Sequence, residues 1–278
     1  MPVTTTSSLS CARHRQSLCC CVHHRDLGAS RGLHDLVEQQ LTVVRLESAQ
    51  EPPMRLEDAW RPVDEVAGTG VDTFVYGLSR DDGLFYPSRV GRQFGADRGA
   101  AETELSAYWR VTENMASLQA RGLDPLQVLI DRAHDKSMEF VASLRMGATP
   151  GLEPSLSVAN GGEGYANPQV VRHQLAVLAE LSANYPVDAL ELDFSASPGG
   201  SSLCFPYGSG PQHAGVMTGF LREAASTARG HGVQIGVRCY PTEAMNRQMG
   251  LDITGWLREG LIDFCVPMLC VLRSIRSH

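Results

Sequence analysis

From about residue 55 the chain alternates two patterns. Short runs rich in β-branched and aromatic residues, VDTFVYGL (71–78), MEFVASLRM (138–146), ALELDFSA (189–196), VQIGVRCYP (233–241) and IDFCVPMLC (262–270), have the length and content of buried strands. Between them apolar residues recur at helical spacing. Asp124-Pro125 sets a cap and a first-turn proline ahead of Leu126, Leu129, Ile130 and Ala133, which share one helix face. Asn167-Pro168 repeats the device ahead of Val171, Leu175 and Leu178. Asp252 opens a short helix through Trp256 and Leu257 that Gly260 ends. Residues 102–121 and 213–230 are also helical by spacing, each closing near a glycine.

Strand alternating with helix predicts an α/β fold with a parallel sheet and crossover helices. The connections are unequal. Helix-to-strand links are tight, as at Lys136-Ser137, Pro186-Val187, Gly230-His231-Gly232 and Gly260-Leu261. Strand-to-helix links are long and rich in Gly, Pro, Ser and Asn, above all 79–101, 147–166 and 197–212. Long loops in a compact domain are usually functional, and parallel α/β sheets carry their sites at the carboxyl ends of the strands. One face is thereby marked as the working one.

Composition narrows the function classes. The chain of 278 residues is 43% hydrophobic and 20% charged, ordinary values for a soluble globular protein. Its formal net charge of -7 argues against a general nucleic-acid binder. No apolar stretch reaches the roughly 18 residues that a membrane helix needs. Lys136 is the one lysine among 24 basic residues, so an arginine here is less informative by itself than usual. Cys204, Cys239, Cys265 and Cys270 are scattered through the body and read as small hydrophobes rather than as a disulfide framework.

Residues 1–54 read as a disordered leader or an atypical stretch foreign to the fold behind it. The opening has no acid before Asp26, and its apolar LCCCV run is too short for a secretory signal. Its arginines and missing acids fit a transit peptide better. The cluster Cys19-Cys20-Cys21-Val22-His23-His24 contains metal-binding residue types. Adjacent ligands close a tetrahedron poorly, however, and no metal or cofactor is expected.

The chemistry gathers on strand ends. Glu191 and Asp193 point to one side of their strand, while Leu190, Leu192 and Phe194 point to the other. A strand buried on both faces should be almost wholly apolar, so two acids on one side are costly unless a site uses them. They are the leading catalytic candidates; the alternative is an ion pair with Arg145 or Arg238. Those two arginines lie late in their own strands and could hold a carboxylate or hydroxyls bidentately. Glu243, just past the strand of Arg238, is a candidate second acid. Tyr76 and Tyr240, at strand ends, are candidate sugar-stacking residues, like Tyr86, Tyr165 and Tyr207 in the loops. No nucleophile elbow, phosphate-binding loop or dinucleotide fingerprint is present, and no histidine pair at ligand spacing sits on a strand end of the body.

The segments VDTFVYGLSRDDGLFYPSRVG, DPLQVLIDRAHDKSMEFVASLRM, ALELDFSASPG and IGVRCYPTEAMNRQMGLDITGWLREGLIDFCVPML resemble the glycosyl-hydrolase-like 10 group, which is related to TIM-barrel glycosidases. The resemblance spans roughly residues 55–270. It implies a (β/α)8 barrel of which five to six strands are present and the last two missing, with 271–278 an aberrant tail and the whole a truncated form of a longer enzyme. It also implies hydrolysis of O-glycosidic bonds in a carbohydrate by paired carboxylates, Asp193 as nucleophile or base, Glu191 beside it and Glu243 as acid. The sequence departs from the family where Gly147-Ala148 follow Arg145-Met146 and Ser195-Ala196 follow Phe194. These departures favour the alternative of an inactive carbohydrate-binding barrel fragment. Oligomeric state is not encoded in these patterns.

Overall fold

The computed structural model describes residues 23–24, 37–38, 51–80, 83–96, 106–195 and 203–268. Most of the leader and the whole 271–278 tail lie outside the described residues. So do the LTVVRLE run (41–47) and all of the cysteine-histidine cluster except His23 and His24.

The strands are β1 (His23–His24), β2 (Val37–Glu38), β3 (Thr73–Gly77), β4 (Ser79–Arg80), β5 (Gly83–Leu84), β6 (Glu139–Arg145), β7 (Ala189–Asp193), β8 (Gln234–Cys239) and β9 (Phe264–Pro267). The helices are α1 (Leu56–Asp64), α2 (Ser106–Gln119), α3 (Pro125–Asp135), α4 (Pro168–Asn184), α5 (Ala214–Gly230), α6 (Glu243–Gln248) and α7 (Ile253–Arg258). Strands β3, β6, β7, β8 and β9 lie side by side in chain order, each parallel to the next. β2 flanks β3 in parallel, and β1 lies antiparallel against β9. Strand order that never reverses winds every right-handed crossover to the same side, unlike a doubly wound sheet. The result is the wall of an incomplete (β/α)8 barrel.

Burial divides the two faces of that wall. Phe74, Tyr76, Phe140, Ala142, Leu144, Leu190, Leu192, Ile235, Val237 and Cys239 pack with the helices in one large core. The alternate residues Val75, Val141, Ala189, Phe264 and Val266 form a separate small cluster on the concave side. Each strand is therefore apolar on its helix side, as period-two alternation requires.

The helix signals act as the sequence predicts. Asp124 accepts from the backbone N–H of Leu126 at 2.9 Å, Asn167 from Gln169 at 2.8 Å and Asp252 from Gly255 at 3.0 Å, satisfying first-turn donors. Gly260 closes α7 with a φ of 66°. The face that α4 buries runs through Val170, Val177, Leu178 and Leu181, so Val171 and Leu175 lie at its half-buried margin instead of at its centre.

The amino-terminal rim is stitched by acids. Asp188 stands one residue ahead of β7; its carboxylate accepts the Phe140 N–H of β6 at 2.7 Å and its carbonyl accepts the Gln234 N–H of β8 at 3.0 Å. Asp263 stands one residue ahead of β9 and accepts the Ile235 N–H at 2.9 Å. Each carboxylate completes a strand amide that the ladder leaves unpaired. At the opposite rim α4 holds two long loops. His173 Nε2 donates to the Pro150 carbonyl at 3.0 Å, and Gln174 donates to Met146 and Ala148 at 3.1 and 2.7 Å. Further along the helix, Glu180 accepts from Tyr86, Ser88 and the Arg89 N–H at 3.2, 2.5 and 2.7 Å.

Candidate active site at the strand ends

Register arranges the concave face in rows. Arg145 of β6 lies beside Asp193 of β7, which lies beside Arg238 of β8 and then Val266 of β9. One pleat deeper, Ser143, Glu191, Gly236 and Phe264 form the next row, and Val141 and Ala189 lie below. Neighbouring parallel strands are about 4.8 Å apart, so side chains within a row are immediate neighbours. The upper row stands at the carboxyl rim, where sequence reasoning expects the site.

Glu191 does not have the freedom of a reactive acid. Arg238 donates to it from Nε at 3.1 Å and from a terminal nitrogen to both carboxylate oxygens at 3.0 Å each, and Ser143 Oγ donates at 2.7 Å. The two charged side chains are 3% and 1% exposed. Burial pushes the Glu191 carboxyl upward, against the pull of Arg238 and with a further push from the Asp193 charge. Glu191 is thus found in an ion pair with Arg238, the arrangement that the sequence offers beside the catalytic reading, and it holds the guanidinium in place.

An apolar plate closes the same row. A Cβ at Gly236 would stand 2.2–2.4 Å from the Phe264 ring, so glycine is what admits that ring beside Glu191. Water is kept from the ion pair, and its strength rises accordingly.

Asp193 ends β7 one row nearer the rim. Its Oδ1 accepts the Ser195 N–H at 2.9 Å and also the Ser195 hydroxyl, a local turn that fixes the carboxylate at the strand tip. Arg145, beside it, is half-buried; its backbone N–H donates to Ser79 Oγ at 2.9 Å. The predicted Asp193, Arg145 and Arg238 are thus brought into one row. Ser143, Ser195, Gly236 and Phe264 complete the arrangement and escaped sequence reasoning. Ser143 carried a readable signal: it shares parity with Arg145 and is the polar residue within the run VASL.

Three expected residues are not brought there. Tyr76 is a helix-side core residue, 3% exposed, with its ring 6.3 Å from Phe74 and 6.1 Å from Phe140. Its even position, shared with Phe74 and Leu78, turns it away from the concave face. Tyr240 lies one residue past β8, where alternation no longer governs direction. Its backbone N–H and carbonyl are both bound by the Asn246 side chain, at 2.9 and 3.0 Å, and it packs in the helix-side core. With Phe194, Phe205 and Leu251 it lines a small cavity. Glu243 begins α6, is 52% exposed and pairs with Arg247 one turn on. Among the described residues no three His, Cys, Asp or Glu side chains come together to hold a metal ion.

No protein-family model matches the sequence, and no curated protein matches it either. Solved structures do. The endo-1,4-beta-mannanase from Rhizomucor miehei is similar at a TM-score of 0.47 and 12% identity, over 76% of this chain and 62% of the mannanase. The GH29 alpha-L-fucosidase from Bacteroides thetaiotaomicron follows at 0.40 and 12%, over 69% and 36%. The GH20 exo-beta-N-acetylglucosaminidase from Vibrio harveyi, bound to N-acetylglucosamine, gives 0.40 and 15%, over 67% and 33%. The chain thus spans less than two thirds of each of these proteins.

Proposed function

We propose that the strand-end row is the saccharide site of a glycoside hydrolase-like protein that cleaves O-glycosidic bonds. Asp193 is the carboxylate that attacks the anomeric carbon or activates water, and Arg238, held by Glu191, orients it and the sugar hydroxyls. Glu243, the proton donor that the resemblance implies, begins α6 outside the row, so in this reading it leaves Arg247 and moves towards the row when substrate binds. The carrying observation is the placement of Asp193: a fixed carboxylate at the carboxyl rim of a parallel sheet, between two arginine-bearing strand ends. Helix-side packing demands no acid there.

Turnover of a panel of aryl glycosides by the parent and Asp193→Asn tests this. The variant should lose several orders of magnitude in kcat with its fold intact by circular dichroism. Equal turnover would remove Asp193 from the mechanism. A second reading, carbohydrate binding without hydrolysis, is favoured by one observation: Glu191 and Glu243, the other acids of the expected set, are both already ion-paired. Calorimetric sugar binding with no product released would select it.

A further inference from the structure

The two strand-end arginines differ in what they already hold. Arg238 delivers three hydrogen bonds to Glu191 and is neutralised by it. Arg145 makes one hydrogen bond, from its backbone N–H to Ser79, and no ion pair with any described residue. The residue is half-buried and pairs in register with Asp193. A planar fork of donors with no anion among the described residues, on a strand end beside a candidate reactive carboxylate, matches a carboxylate better than it matches a neutral hydroxyl.

We infer that Arg145 is a specificity-determining residue that binds the carboxylate of an acidic saccharide, so that the substrate class is a uronic-acid-type sugar instead of a neutral one. The inference rests on reading the strand ends as a saccharide site and adds the charge of the sugar. Asp193 itself repels such a ligand, and Glu191 cancels Arg238, so the attraction falls to Arg145. Ser79, buried below it, fixes the strand end from which the side chain projects.

The test is binding, measured apart from turnover. Calorimetry on the full chain would use D-glucuronate- and D-galacturonate-containing oligosaccharides and their neutral glucose and galactose counterparts. A charge-assisted pair predicts about tenfold to a hundredfold tighter binding of an acidic sugar than of its neutral counterpart, with the preference weakened by salt. Arg145→Gln should abolish that preference by weakening acidic-sugar binding far more than neutral-sugar binding, and Arg145→Lys should restore part of it. Thermal melting of each variant separates loss of recognition from loss of fold. Equal affinity for both sugar classes, a preference that survives Arg145→Gln, or binding of neither class would overturn the inference. Acidic-sugar binding without hydrolysis would retain it and defeat only the hydrolytic reading. Hydrolysis indifferent to the carboxylate would do the reverse.

Discussion

Replacing Arg238 with methionine keeps the stem and removes the charge. Glu191, 1% exposed, then loses all three guanidinium hydrogen bonds and retains the one from Ser143. An uncompensated buried charge costs about 3–5 kcal/mol, a large part of an ordinary domain's roughly 5–15 kcal/mol. With a urea m-value near 2 kcal/mol/M, the unfolding midpoint should fall by about 1.5–2.5 M. The sign of the pH dependence follows from protonation. The folded-state pKa of Glu191 is already raised by burial, and removing Arg238 raises it further. The folded state then binds the proton more tightly than the unfolded one. Stability is greatest below the unfolded carboxyl pKa and is lost as pH rises towards the folded one. Urea titrations of Arg238→Met should therefore show a larger deficit at pH 8 than at pH 5. The double variant Glu191→Leu with Arg238→Met should recover most of the loss, because apolar replacement of a whole buried pair is often neutral or stabilising. A single variant within about 1 kcal/mol of the parent at both pH values would refute the reasoning, since the carboxylate would then be reaching water.

Three further outcomes follow from the same geometry. Gly236→Ala drives a methyl into the Phe264 ring and should cost about 1–3 kcal/mol in chemical denaturation, whereas full stability would mean that the ring moves freely. Burial lowers the His173 pKa, so the folded state resists its protonation; stability should decline as pH falls from about 7 through the unfolded pKa near 6.5, and His173→Gln should flatten that slope in thermal melts. Asp188→Ala leaves the Phe140 N–H without its side-chain acceptor and should cost about 1–3 kcal/mol by urea unfolding; a neutral change would show that water replaces the carboxylate.

Much of the wall is legible in the sequence because burial imposes a period. Runs such as ALELDFSA cannot bury on both faces without exposing which residues are polar, so Glu191 and Asp193 are marked by parity alone. The partner of Glu191 is not. Arg145 and Arg238 flank Asp193 in one row, so parity and register put both equally near Glu191, and which of them turns back to it is decided by tertiary packing that no local pattern records. Tyr76 lies near a strand end, yet it alternates with Phe74 and Leu78, and that alternation turns its ring to the helix side. Tyr240 is harder. Its direction depends on where β8 stops and on Asn246, which binds the backbone there, and neither belongs to a periodic pattern. The short helix α6 was hidden behind Pro241-Thr242, where Thr242 accepts from Met245 and turns an apparent loop glutamate into a helical one.

Asp188 and Asp263 give the two rims of the sheet separate duties. Strand alignment is pinned at the rim remote from Asp193, so the connections above Arg145 can vary in length and content without shifting the ladder beneath them. A library randomising the exposed positions of 151–163 should thus yield many folded members with altered ligand preference. Randomising around 188 and 263 should yield few that fold at all.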